Sequence, residues 1–190
     1  MIDRDLFLDE FARIRTDEVV IYTMSSAKHW PQVSSSPLDL YIGGAMGYAS
    51  SVGLGVALAR PDRRVVILDG DGSLLMNLGS TVTIAHAAPA NLVHVLFQND
   101  LYELSGRVPI PGREHLSFTG LAESAGYASA HDFYELREIV PKLRELLESQ
   151  GPVLINVRTA PGPRSRMPVF EALTRAPESA KRMAAALAAS

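Results

Sequence analysis

The chain of 190 residues contains no cysteine. That excludes a disulfide framework, a thiolate zinc site, a cysteine nucleophile and a cysteine-held iron–sulfur cluster within it, and it fits a cytoplasmic location. Neither sign of charge is in large excess: 18 basic against 21 acidic side chains leave a formal charge of −3, with a pI ≈ 5.9. Such a balance gives no electrostatic footprint for nucleic acid or an anionic membrane, so neither is expected as a partner. The first residues, Met1-Ile2-Asp3-Arg4-Asp5, carry acid where an export signal needs a basic region followed by an apolar one. One long uncharged run needs a membrane check: residues 42–59 cover eighteen positions, near the length of a spanning helix. Gly43, Gly44, Gly47, Gly53 and Gly55, with Ser50 and Ser51, leave it too weakly hydrophobic to span alone. The same composition suits a buried helix whose small residues let neighbouring backbones approach.

What is present is an alternation of short apolar runs with longer helical segments. Residues 19–22, 65–68, 92–97 and 153–157 are nearly all apolar, as strands buried on both faces are. Helices are predicted at about 3–14, 45–59, 75–87, 115–125 and 132–149, with Pro141 dividing the last. A weaker strand at 126–130 brings the sheet to five or six strands. The expected fold is α/β, a doubly wound, mostly parallel sheet of about six strands with helices on both faces, in a single domain over 1–190. Residues 25–40, rich in Ser and Pro, and 107–113 read as loops. Ala160-Pro161-Gly162-Pro163 ends the sheet, and about 160–190 forms a C-terminal tail whose Ala-rich helix, about 178–188, reads as a packing or oligomer helix rather than a lid.

The strongest local signal is Val65-Val66-Ile67-Leu68-Asp69-Gly70-Asp71-Gly72-Ser73, an apolar strand running into two glycines that flank an acid, ahead of a helix. Ligands of such sheets bind where strand C-termini meet helix N-termini. Gly70 and Gly72 permit close approach to the main chain, free amides at the helix start suit a phosphate, and Asp71 is placed to hold a divalent cation beside it. Alone, the triplet equally describes a tight turn with Asp71 capping a helix. Twenty-eight residues on, however, the next long strand ends in Phe97-Gln98-Asn99-Asp100-Leu101-Tyr102. Asp71, the Asn99 amide oxygen and the Leu101 carbonyl are hard donors that could form half of an octahedral Mg²⁺ site.

At these positions the chain resembles the diphosphate-binding domain of thiamine diphosphate enzymes, whose signature is Gly-Asp-Gly, about 25–30 residues, then Asn. The likeness spans about 19–158 and is reinforced by Gly43-Gly44-Ala45-Met46-Gly47-Tyr48-Ala49-Ser50, similar to the family segment that grips the aminopyrimidine ring. The resemblance implies thiamine diphosphate and Mg²⁺ as cofactors. It implies that the Gly44 carbonyl accepts from the pyrimidine amino group and that Met46 is the bulky residue bending the cofactor. Gly70, Asp71, Gly72, Ser73, Asn99, Leu101 and Tyr102, with Ser25 and Ser26 after the first strand, become cofactor contacts. Two departures are noted: Gln98 stands where the family has Asn, and Leu101 where a glycine is common, but only the Leu101 carbonyl is needed.

The resemblance also implies what this chain does not supply. In the family a glutamate against the pyrimidine belongs to a separate pyrimidine-binding domain, for which one α/β unit of this size has no room. The chain is thus similar to one half of a split enzyme, the β subunits of sulfopyruvate decarboxylase and the matching part of phosphonopyruvate decarboxylase above all. A pyrimidine-binding α subunit, an α2β2 or higher assembly and a small 2-oxo acid substrate are the implied partners. Glu103 and His115 are candidates for proton steps or substrate contacts, Arg107 and Arg113 for a substrate anion, and His29 for a neighbour of the diphosphate loop. His86 and His94, in apolar segments, read as satisfied core or interface histidines. An acetolactate synthase-like carboligase subunit and a non-catalytic subunit retaining the fold are the alternatives. A nucleotide phosphate loop and a Gly-x-Gly-x-x-Gly turn are both missing.

Overall fold

The computed structural model describes residues 1–162 and 169–189, with side chains described from 175 onward in the second stretch. Its strands are β1 (Val19–Thr23), β2 (Asp39–Ile42), β3 (Val65–Gly70), β4 (Leu92–Gln98), β5 (Leu101–Tyr102), β6 (Val108–Pro109), β7 (Ser129–Phe133) and β8 (Val153–Arg158). Six of them form one sheet in the order β2-β1-β3-β4-β8-β7, parallel throughout, while β5 and β6 make a small antiparallel pair beyond the end of β4. The four runs that read as buried strands are buried along almost their whole length, because helices cover both faces. One layer, α1 (Arg4–Ile14), α2 (Trp30–Val33), α7 (Leu136–Ile139) and α8 (Leu143–Glu148), buries Phe7, Leu8, Phe11, Trp30 and Leu143 against one face. The other, α3 (Ala49–Ala59), α4 (Asp71–Leu75), α5 (Gly79–Ala87), α6 (Phe118–Ala125) and α9 (Val169–Ala188), contributes Leu54, Leu74, Ile84, Phe118 and Met183.

Several boundaries differ from the sequence expectation, each for a local reason. The helix expected from 45 starts at Ala49, because Gly44 and Gly47 adopt positive φ (79° and 85°) and keep the chain before it non-helical. The 75–87 helix is two helices, since Asp71 already begins α4. The strand expected at 126–130 is β7 at 129–133, so the following helix starts at Leu136, after a capping box between Glu135 and Glu138, and not at 132. The 115–125 helix begins at Phe118, where the Ser117 hydroxyl accepts from the Gly120 amide.

Strand β2 lies inside the stretch read as a loop. It is four residues long and starts at an acid, so it carries little strand signal of its own. Asp39 is held by Arg15 (Nη1–Oδ1 2.5 Å), whose guanidinium also lies 5.6 Å over the Trp30 ring. On its open edge the Tyr41 amide donates to Ser179 of α9 at 3.1 Å, which satisfies a group that an unpaired edge would expose. The C-terminal helix is therefore docked on this edge. It begins at Val169, earlier than the expected 178, and residues 163–168 and 190 of the expected tail lie outside the described residues. No helix among the described residues is long and apolar enough to cross a membrane.

The uncharged run does supply a helix that packs closely. A Cβ built at Gly53 would lie 2.3 Å from Cδ1 and 2.5 Å from Cγ1 of Ile67, whose side chain is fully buried in β3. Gly55, two residues on and so on the opposite, exposed side of α3, has open space. We predict that Gly53→Ala destabilises the fold by ~1–3 kcal/mol through overpacking, whereas Gly55→Ala stabilises it by ~0.5–1 kcal/mol through helix propensity. Urea unfolding midpoints moving in opposite directions would bear this out, and a shift in one direction would refute it.

Candidate functional site

The sheet order places a switch point between β1 and β3, since the chain passes from β1 outward to β2 and then returns to the other side. Crevices at such points, beyond the carboxyl ends of the strands, are where open α/β sheets bind ligands. A cleft opens there, lined by Thr23, Met24, Ser25 and Ser26 at the end of β1, by Asp69 to Ser73 at the end of β3, and by Asn99 and Leu101 to Ser105 after β4. Met46 and Arg4 complete the wall. Met24, a non-glycine, is held at φ 51°, a conformation that persists only where surroundings enforce it and that clusters at binding sites.

Asp71 joins two of these strand ends. It is buried, its Oδ1 accepts from the Gly72 amide at 2.8 Å, and its Oδ2 accepts from the amides of Asn99 (2.9 Å) and Asp100 (2.6 Å). Burial pushes its carboxyl up to about 6, with the hydrogen bonds from Gly72, Asp100 and Asn99 pulling the other way. Asn99 is fixed at both ends of its amide: Oδ1 accepts from the Leu101 amide at 3.0 Å and Nδ2 donates to Glu103 at 3.0 Å. Behind this turn, Gln98 donates to Asp100 (2.6 Å) and accepts from Asn156 (2.7 Å), while Arg158 donates to Asp100 at 3.1 Å. The departure at Gln98 thus serves as a brace for the turn.

The Gly43-to-Ser50 segment meets the same site from β2. Ser73 accepts from the Gly47 amide at 3.0 Å, and the Asn77 side chain donates to the Gly47 carbonyl at 3.0 Å. A Cβ built at Gly72 would lie 2.7 Å from the Tyr102 ring and 3.7 Å from the Met46 methyl, so both side chains lie directly over that glycine. Gly70 and Gly44 are open instead: a Cβ at the first would reach only Met24, at 4.0 Å, and at the second nothing within 4 Å. Ser25 donates to Glu103 at 2.6 Å, and Ser26 donates to the Thr23 carbonyl at 2.5 Å. Burial raises the Glu103 carboxyl, but the Ser25 hydroxyl and the cations Arg4 and Lys28 outweigh it and leave the group below its ordinary range.

The structure therefore gathers Ser25, Ser26, Met46, Gly70, Asp71, Gly72, Ser73, Asn99, Leu101, Tyr102 and Glu103 into one cleft, with Gly44 on the adjoining loop. It does not bring in His115, which is exposed on the 111–115 turn, nor the exposed Arg113. Arg107 donates to the Gly162 carbonyl at 2.7 Å, and His29 pairs with Asp9 at 2.7 Å. Of the reading of His86 and His94 as satisfied core or interface histidines, the core part does not hold for His86, and His94 is in the core but not satisfied. His86 is exposed on α5. His94 is fully buried, yet neither ring nitrogen has a hydrogen-bond partner, and its Nε2 lies 3.6 Å from Asp69. Arg4, Met24 and Asn77 were not anticipated. Arg4 and Met24 carry no local motif, and only the position of Asn77 soon after Gly-Asp-Gly-Ser could have marked it.

Three comparisons bear on this geometry. Residues 19–157 match the family model described as Thiamine pyrophosphate enzyme, C-terminal TPP binding domain. The chain is 36% identical over 163 residues to sulfopyruvate decarboxylase subunit beta of Methanothermobacter thermautotrophicus, covering 85% of this chain and 84% of that protein. It is 37% identical over 152 residues to phosphonopyruvate decarboxylase of Streptomyces viridochromogenes, covering 78% of this chain but only 37% of that protein. Benzoylformate decarboxylase from Polynucleobacter necessarius has a similar fold, with a TM-score of 0.74 at 20% identity over 86% of this chain and 34% of that one.

The Ser73 link to Gly47 generates a stability prediction. Ser73→Ala removes the acceptor from a buried amide, which costs ~1–3 kcal/mol. Thermal denaturation should show that loss, and an unchanged midpoint would mean the loop is held by Asn77 alone.

Proposed function

The chain belongs to the thiamine pyrophosphate enzymes, and from that premise we propose that it is the β subunit of a split thiamine diphosphate-dependent 2-oxo acid decarboxylase. The observation that carries the reading is the oxygen-only set, Asp71 carboxylate, Asn99 amide oxygen and Leu101 carbonyl, brought together at the switch point by the Asp71 hydrogen bonds to the Asn99 and Asp100 amides. Its extent along a relative that is by name a subunit, 84% of that protein's length, supports the subunit part of the proposal.

The residues present fit the cofactor. Three hard oxygen donors suit Mg²⁺ and would leave its other positions to diphosphate oxygens and water. The open faces of Gly70 and Gly44 leave room for a ligand against the main chain. Ser73 spends only a lone pair on Gly47 and keeps its proton to donate to an anion. Ser25 and Ser26 line the same wall, and Tyr102 closes it over Gly72. When bound, thiamine diphosphate supplies the electron sink for loss of carbon dioxide from a 2-oxo acid. The chain's own contribution is to fix the metal through Asp71, Asn99 and Leu101, to accept the pyrimidine amino group at the Gly44 carbonyl, and to set the cofactor's bend with Met46. A pyrimidine-binding α subunit completes the site with the activating glutamate, in an α2β2 or higher assembly in the cytoplasm.

Calorimetric titration of thiamine diphosphate, with and without Mg²⁺, into the chain alone and into its complex with a pyrimidine-binding subunit tests this. Expected are Mg²⁺-dependent binding that tightens in the complex and carbon dioxide release from 2-oxo acids by the complex alone. Asp71→Ala should abolish the Mg²⁺-dependent part, and Met46→Ala should lower kcat more than it weakens cofactor binding. No binding in either preparation would overturn the proposal. Condensation of two 2-oxo acids without aldehyde release would replace it with the carboligase reading.

A further inference from the structure

The Asn99 amide is the weakest link in the proposed metal site, because an amide presents an acceptor and a donor of nearly the same shape and only the acceptor can face a cation. Three observations bear on how its orientation is held. The Leu101 amide donates to Oδ1, Nδ2 donates to Glu103 Oε2, and that same carboxylate oxygen receives the Ser25 hydroxyl at 2.6 Å and Arg4 Nη1 at 3.3 Å. A flipped amide would set NH₂ against the Leu101 N–H and oxygen against the carboxylate, losing two hydrogen bonds and adding two repulsions. Glu103 is itself immobilised: its side chain and that of Arg4 are each 6% exposed, and the other carboxylate oxygen would lie 2.9 Å from a Cβ at Gly162.

We propose that Glu103 is a positioning residue that locks the Asn99 amide with Oδ1 turned to the metal, rather than a proton donor or acceptor in the reaction. This rests on the reading above that Asn99 is a Mg²⁺ ligand. Glu103 acts on the cation from outside its coordination shell, with Arg4 and Ser25 holding the carboxylate in place. Groups of this kind are worth about 10–100-fold in metal affinity.

The test is calorimetric Mg²⁺ titration of the full chain at saturating thiamine diphosphate. Glu103→Ala should weaken Mg²⁺ about 10–100-fold. Glu103→Gln, which keeps an acceptor oxygen for Nδ2, should stay within about threefold of the parent, a rescue that a need for the charge would not give. In an Asn99→Ala background, Glu103→Ala should change the affinity by less than about twofold, because a residue acting through Asn99 has nothing left to orient. Removing Glu103 leaves the Arg4 cation with Asp5 alone, at 3.6 Å, so Arg4→Met/Glu103→Ala, which removes both buried charges, is measured beside it and should show the same Mg²⁺ loss. Parent-like affinity in Glu103→Ala, equal losses with and without Asn99, or a Gln variant no better than Ala each overturn the assignment. A parent showing no Mg²⁺-dependent binding, either alone or in complex with a pyrimidine-binding subunit, overturns the cofactor reading itself, and the assignment with it.

Discussion

One buried carboxylate ties the site together. Asp71 starts α4 at the end of β3, and its Oδ2 takes the amides of Asn99 and Asp100 at the end of β4. Two adjacent strand ends are thereby locked at a fixed separation, and the Leu101 carbonyl and Asn99 side chain are presented beside the carboxylate that clamps them. The arrangement has an electrostatic cost, since burial raises the Asp71 carboxyl toward about 6. Its three amide donors offset part of that cost, and a divalent cation alongside would favour the ionised form further. The fold and the proposed cation site therefore draw on the same group.

Around that clamp the support is polar and layered. Gln98 and Arg158 hold Asp100, Asn156 holds Gln98, and Asp132 accepts from Asn156 at 2.6 Å, so the network runs across β4 and β8 to the edge strand β7. On the other side the Ser73 bond to Gly47 and the Asn77 bond to its carbonyl bring the loop after β2 onto the same turn. Networks of satisfied buried bonds rigidify a unique geometry. Some atoms depart from this rule: within the network Asn156 Oδ1 has no partner, and beside it Asp69 Oδ1 accepts from Gly70 at 2.8 Å while its Oδ2 and both His94 nitrogens lack partners. Buried polar atoms of that kind call for ordered water.

How much of this was legible depends on where the signal lay. The four central strands are apolar over most of their length because both faces are covered, and that pattern is local, so their positions emerged to within two residues. The meeting of Asp71 with the Asn99 turn emerged too, because a glycine-flanked acid and a later Asn each stand at a strand end, separated by the helices α4 and α5 and the strand β4. Strand β2 was not legible: its place is held by Arg15 and by Ser179, 138 residues from the amide it caps, and no local window contains those partners. Arg4 was missed for the same reason, since it reaches Glu103 across 99 residues of chain. The start of α3 was misjudged because Gly44 and Gly47 were read as small residues of a helix when their positive φ belongs to the loop before it.

The same hydrogen-bond accounting bears on why the proposed catalyst is split. Three acids line the cleft: Asp69, Asp71 and Glu103. Asp71 is bound to three amides, Glu103 to Asn99, Ser25 and Arg4, and Asp69 to Gly70 with its second oxygen turned toward His94. Each carboxylate is committed to holding this chain's own turn. Releasing any of them to bind a heterocycle would unfasten Asn99, leave Arg4 with only the half-exposed Asp5 at 3.6 Å, or free the Gly70 turn, and so disturb the geometry that presents the proposed metal donors. An acid that must meet a cofactor ring from the open side of the cleft is better supplied by a surface that docks after this one has formed. The proposed division of labour between two chains agrees with that constraint: this chain's acids hold its own turn, and the partner would bring the acid that works on the ring.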